Sequence, residues 1–462
     1  MTQPKIAHPF KFPILGQPSD TAVPRSGRKN KVAFITLGCP KNQVDSEIMM
    51  GNLHHSRIVE RAEEADTIVI NTCGFIESAK QESIDTILGA IRLKETSAKQ
   101  GRRKRVIVTG CLSERYRDEM KKELPEVDAM FGVHEFDKVN QAIEGHYQQI
   151  FLSDRKLLNV GHFAYLKISE GCNQRCGFCY IPMIRGNLVS KSIEENVAEA
   201  RMLAERGVKE LIVISQDTSS YGYDFDRSAE NRRHNVHLIK LLHHLSAIDG
   251  IEWIRLMYLY PSIFSDDLIE TIAELPNVCK YVDLPVQHIS DRMLASMRRQ
   301  TTRPQTLDLL AKIRERIPEA AIRTSLIVGY PGETDSDFQQ LYDFVESIRF
   351  DRLGVFTYSR EEGTMAYDLD DQVPDAVKRE RADRLMQLQQ EISYEKNIRR
   401  IGQTFRVLID RREEQTWIGR TPYDAPEIDN EVVVSGTALQ VGDFVDVLVT
   451  DATEYDLIGQ SI

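Results

Sequence analysis

The sequence predicts an α/β protein in three folded parts: an amino-terminal parallel α/β domain (residues 31–146), a central partial TIM-like barrel (158–395) and a small all-β barrel (396–462). Three observations carry this reading. Short β-branched runs alternate with helical stretches from Lys31 onward, a second strand-and-helix series starts near His162, and the carboxyl-terminal stretch turns to short alternating strands. A chain of 462 residues also exceeds what one core usually holds. Residues 1–30, punctuated by Pro4, Pro9, Pro13, Pro18 and Pro24, read as a flexible arm without the apolar core of a secretory signal.

In the first domain the strands are Lys31–Leu37, Thr67–Thr72 and Arg105–Thr109, each an unbroken apolar run suited to a sheet covered on both faces. Each runs into a cysteine: Cys39 in Leu-Gly-Cys-Pro, Cys73 in Asn-Thr-Cys-Gly, and Cys111 in Thr-Gly-Cys-Leu. Parallel strands deliver all three thiols to one sheet edge, the edge where open α/β sheets bind ligands. The barrel strands are Phe163–Ser169, Glu210–Ser215, Trp253–Tyr260, Tyr281–Val286, Ile322–Val328 and Leu353–Tyr358, with helices such as Ile193–Arg206 and Asp291–Arg299 between them. The charged segment Gly222–Asn235 lacks apolar periodicity and reads as a surface loop. A long charged helix, Pro374–Ile401, leads to a β-barrel with strands including Phe405–Ile409, Glu431–Val434 and Phe444–Val449.

Seven cysteines form an odd set in a chain with no export signal, which favours reduced, metal-binding thiols and a cytoplasmic location over a disulfide framework. No apolar run approaches the roughly 20 residues that cross a bilayer, so no membrane association is expected. The net charge of −11 argues against a globally RNA-attracting surface.

A second cysteine triple, Cys172, Cys176 and Cys179, is spaced C-x3-C-x2-C directly after the first barrel strand. A 4Fe-4S cluster normally takes four thiolates, so three leave one iron open to another ligand. Zinc sites usually supply a fourth ligand nearby, and no further cysteine or histidine follows here.

With Phe178 before its last cysteine, this motif resembles that of the radical S-adenosylmethionine (radical SAM) superfamily. The resemblance implies that S-adenosylmethionine chelates the open iron and is cleaved to a 5′-deoxyadenosyl radical. From about Lys31 to Ile462 the chain is similar to the methylthiotransferase subgroup, with its amino-terminal domain, radical SAM barrel and TRAM barrel. That similarity implies a second 4Fe-4S cluster on Cys39, Cys73 and Cys111, where the sulfur is presented, and one cofactor molecule used as methyl donor beside another used as radical source. Gln216, Asp217 and Arg255 fall where cofactor contacts are expected, and Gly329, in Ile327-Val-Gly-Tyr-Pro-Gly-Glu333, suits either a turn against the cofactor or an ordinary turn. His288 and Cys279 read as structural.

Gly38-Cys-Pro-Lys-Asn42, Val44-Asp-Ser-Glu47 and Asp424-Ala-Pro-Glu-Ile-Asp429 resemble the ribosomal-protein aspartyl methylthiotransferase family. The implied activity adds a methylthio group to the β carbon of an aspartate in small-subunit ribosomal protein twelve, the alternative being a transfer RNA adenosine. Implied partners are that basic protein and an electron donor, with modification on the ribosome left open. From Gly402 to Ile462 four arginines face twelve carboxylates, a balance of −8 that would repel RNA and attract a basic protein, so Asp424, Glu427 and Asp429 read as part of a docking face. A non-catalytic electron carrier is disfavoured, because carriers saturate their irons with protein ligands.

Overall fold

A computed structural model describes residues 29–462 apart from 160 and 227, so the expected arm at 1–30 lies almost wholly outside the described residues. The described residues divide into two compact units, the first comprising residues 29–158, 170–173 and 180–199, the second the rest of them.

The first unit is built on a five-stranded parallel sheet: β1 (Asn30–Thr36), β2 (Ser56–Ile58), β3 (Thr67–Thr72), β4 (Arg105–Gly110) and β5 (Ala129–Met130), in the order β2-β1-β3-β4-β5. Helices α1 (Pro40–Gly51), α2 (Glu77–Lys99), α3 (Cys111–Glu123) and α4 (Phe136–Glu144) connect them. Ile68, Ile70, Val106 and Val108 are fully buried against Ile87 and Ile91 of α2, which is why the strands read as continuous apolar runs. The short edge strands β2 and β5 carry too few apolar residues to announce themselves in sequence.

The second unit opens with β6 (Phe163–Lys167), which pairs in parallel with Glu210–Ile214 and through it with Trp253–Leu256. A further parallel trio is Tyr281–Asp283, Ala321–Val328 and Arg352–Thr357. These six strands follow chain order, and a single parallel bridge, Ile254 to Val278, marks the seam between the trios, as a partial TIM-like barrel requires. Several are shorter than expected. Trp253–Leu256 stops four residues before Tyr260 because Tyr258 takes a positive φ and Tyr260 enters a 3-10 turn.

The segment Gly222–Asn235 corrects its reading as a plain loop. It contains the short helix Ala229–His234, capped by the Ser228 hydroxyl, and Asn235 is buried with its side-chain amide donating to Ser219 O at 2.8 Å. Polar residues that satisfy backbone groups internally leave no apolar period to read. The helix Asp375–Ile398 then leads to a closed five-stranded barrel, with Val407, Ile409, Val432, Val434, Val447 and Val449 at its centre. No helix among the described residues is long and apolar enough to cross a membrane.

Candidate functional site

Three loops of the first unit bring their thiols together because two glycines let them close. A Cβ on Gly38, which has φ +85°, would lie 2.9 Å from Cys73 Sγ, and one on Gly74 would lie 2.7 Å from the Cα of Leu112, the residue after Cys111. Only a hydrogen fits in either gap. Asn42, in the first turn of α1, clips the strand ends: its Nδ2 donates to Leu37 O at 2.8 Å and Thr72 O at 3.0 Å, just ahead of Cys39 and Cys73. Its Oδ1 lies 3.8 Å from Cys111 Sγ.

Burial pushes the Cys73 thiol up and the Cys111 thiol up to about 12, with the charge of Arg185 pulling both back and the neighbouring thiols adding to the rise. The donor set is soft, all sulfur, and three in number, which fits an iron-sulfur group with one iron left open.

The second triple lies on the loop Gly171–Tyr180 that follows β6, with Cys172 counted in the first unit, Cys176 and Cys179 in the second, and all three thiols half-buried. Cys172 N donates to Gly186 O at 3.1 Å, and Cys179 N to Cys176 O at 3.1 Å. In the second unit the loop is pinned by Gly177, whose N donates to Met297 O and whose O accepts from Ala366 N, both at 2.9 Å. Phe178 packs among Met293, Met297, Tyr330 and Tyr358, so it anchors the loop from beneath. Arg299 stacks 4.0 Å over the Tyr260 ring and brings Nη1 to 3.5 Å from Cys176 Sγ. Sequence reasoning passed over both, since neither belongs to a spaced motif.

Gln216 and Asp217 follow the strand Glu210–Ile214 at its carboxyl end. Asp217 Oδ2 accepts from Gln174 Nε2 and Ser220 Oγ, each at 2.6 Å, while its buried Oδ1 has no hydrogen-bond partner among the described residues. Burial raises its pKa. A buried acceptor without a donor, tied to the cysteine loop through Gln174, suits a hydroxyl or ammonium group of a small cofactor.

Two of the expected cofactor residues meet other groups of the protein. Arg255 is fully buried at the opposite end of the strands: Nε donates to Glu210 Oε1 at 2.8 Å and Nη1 to Pro422 O at 2.8 Å, with the guanidinium over the Tyr281 ring. Its role is to join the two barrels. Gly329, with φ +71°, lies against the stem of Lys378, whose Cγ would meet a Cβ at 2.2 Å, so only glycine fits there.

Asp424 and Asp429 also do not belong to an accessible docking face. Asp424 pairs with Arg352, and Asp429 accepts from Tyr281 OH at 2.6 Å and pairs with Arg323 at 3.3 Å; both side chains are 2% exposed. Asp410 pairs with Arg420 at 2.6 Å and His162 at 2.7 Å, while Arg420 also reaches Glu210 at 2.8 Å. Of the three acids singled out, Glu427 alone is exposed. Carboxylates counted as surface charge form a buried ionic layer between the strand starts of one barrel and the loops of the other.

Family models match along the chain: "Uncharacterized protein family UPF0004" at residues 31–132, "Radical SAM superfamily" at 166–345 and "TRAM domain" at 401–462. The chain is 47% identical to the ribosomal protein uS12 methylthiotransferase RimO of Christiangramia forsetii, over 95% of this chain and 96% of that one. It is 48% identical to the RimO of Flavobacterium psychrophilum (94% and 99% covered) and 47% identical to that of Clostridioides difficile (93% and 98%). Among solved structures, the radical S-adenosylmethionine methyltransferase TsrM of Kitasatospora setae shares the fold at a TM-score of 0.52 and 13% identity, over 71% of this chain and 73% of that one.

Proposed function

The chain belongs to the ribosomal protein uS12 methylthiotransferase RimO family, and on that premise we propose that it adds a methylthio group to the β carbon of an aspartate of uS12. It is a radical SAM methylthiotransferase whose cofactors are two 4Fe-4S clusters and S-adenosylmethionine. The observation that carries this is the pair of cysteine triples, one at the strand ends of the α/β sheet and one on the loop after β6, neither with a fourth cysteine beside it. Cys39, Cys73 and Cys111 would hold one cluster, and Cys172, Cys176 and Cys179 the other.

When bound, the clusters and S-adenosylmethionine supply one-electron reduction, a carbon-centred radical and the methyl group. The chain's own residues bind, orient and exclude water. Phe178 and its apolar neighbours seal the underside of the loop, Arg299 offers an N–H to the Cys176 sulfur, and Asp217 presents a buried carboxylate oxygen for a donor of the cofactor. The reading also requires an external electron donor, and the substrate is met either free or on the small ribosomal subunit.

The test is incubation of the anaerobically reconstituted protein with reductant, S-adenosylmethionine and either uS12 or transfer RNA, followed by mass spectrometry of each. Gain of a methylthio group on the uS12 aspartate supports the reading. Gain on transfer RNA alone would sink it.

A further inference from the structure

Arg185 ends the short helix α5 (Ile181–Arg185) and is 2% exposed. Its Nη1 donates to both oxygens of Glu170 at 3.0 Å, and its Nη2 to Asn42 Oδ1 at 2.6 Å and Asp45 Oδ2 at 3.0 Å. All these residues belong to the first unit. The same Asn42 clips the backbone ahead of Cys39 and Cys73 and turns its Oδ1 toward Cys111. Glu170 stands two residues before Cys172, whose N–H donates to the carbonyl of Gly186, the residue after Arg185. One guanidinium thus connects the segment leading into one cysteine triple with the clip that arranges the other.

We propose that Arg185 is a positioning residue of the Cys39, Cys73 and Cys111 site, which fixes Asn42 through its planar fork and sets by its charge the reduction potential of the cluster held there. A guanidinium matches two oxygen acceptors at once in a way an ammonium cannot, so geometry and charge are separable by substitution. Three thiolates in a partly buried site make reduction, which adds further negative charge, unfavourable; a fixed cation beside them opposes that, and Glu170 and Asp45 moderate it. Burial of the whole group keeps solvent from screening the effect.

The inference rests on the reading that these thiols hold a 4Fe-4S cluster, and the experiment separates the two. In the full chain with Cys172, Cys176 and Cys179 replaced by alanine, only the first site can load. Iron content and a potentiometric titration followed by electron paramagnetic resonance are then measured for that parent and for Arg185→Lys, Arg185→Met and Glu170→Gln in it. Arg185→Met is expected to move the midpoint potential negative and Glu170→Gln to move it positive. Arg185→Lys should hold the potential near the parent's while loading less iron. Opposite shifts are a charge signature that loss of packing alone does not give. If Arg185→Met fails to load, the positive shift in Glu170→Gln decides alone. Shifts of one sign, or none, overturn the proposal; a parent that loads no iron overturns the cluster reading beneath it instead.

Discussion

Asn42 shows how one small polar residue decides the geometry of three thiols. Its amide donates to two strand-end carbonyls while its backbone carbonyl accepts from Asn71 Nδ2 at 2.8 Å. Replacing Asn42 with Ala leaves those carbonyls and the Arg185 fork short of partners, a cost of about 1–3 kcal/mol for buried groups. The expected result is a lower melting temperature of the apo chain and reduced iron in the first site, with iron on Cys172, Cys176 and Cys179 retained; unchanged melting and iron would contradict the clip. The two triples should also separate chemically. Alanine at Cys172, Cys176 and Cys179 should abolish 5′-deoxyadenosine formation, whereas alanine at Cys39, Cys73 and Cys111 should leave it and stop methylthio transfer. Deoxyadenosine formed at the wild-type rate without Cys172, Cys176 and Cys179 would remove the radical assignment. Both triples were legible because strand ends and fixed spacings announce them. Arg185 and Arg299 were not, since no local pattern marks either, and Asn42 stood only within the Gly38-Cys-Pro-Lys-Asn42 wording, with nothing to show its clip.

The terminal barrel illustrates the limits of reading charge from composition. Its balance of −8 is real, yet three of its carboxylates are buried in ion pairs: Asp410 with Arg420 and His162, Asp424 with Arg352, and Asp429 with Arg323. Burial alone would raise the pKa of Glu210, but Arg420 and Arg255 outweigh it and hold the carboxyl below the usual range; for Asp410, Arg420 and His162 do the same. A depressed folded pKa contributes stability that is present above the unfolded value, about 4, and lost as pH falls through the folded one. Urea denaturation should therefore show the second unit weakening below about pH 4, and Glu210→Gln should flatten that dependence. The same substitution leaves Arg255 and Arg420 short of a counter-charge and should cost about 3–5 kcal/mol at neutral pH. A loss near zero would mean the layer is not what joins the barrels. Neutralising Asp424 and Asp429 should likewise lower stability, not merely substrate affinity. The strands themselves were legible from their apolar alternation; their partners across the layer were not, because an arginine on a barrel strand looks the same in sequence whether it meets a cofactor or a carboxylate.

Across the whole molecule, the succession of parallel α/β sheet, partial barrel and small closed barrel follows from patterns printed in the chain: apolar runs ending in cysteines, strand-helix alternation, then short alternating strands. The choice of a protein over a nucleic acid as substrate rests on local wording and near full-length relatives; of the three acids assigned to docking, Asp424 and Asp429 are buried in ion pairs and only Glu427 is exposed. The central claim is that both cysteine triples serve one sulfur transfer to uS12. It is tested most directly by the intact mass of uS12 purified from cells lacking this protein and supplied with the wild type, the Cys172, Cys176 and Cys179 triple-alanine variant, or the Cys39, Cys73 and Cys111 triple-alanine variant. One methylthio group replacing one hydrogen should appear with the wild type alone. Modified uS12 in cells carrying either variant, or unmodified uS12 in cells carrying the wild type, would contradict the account.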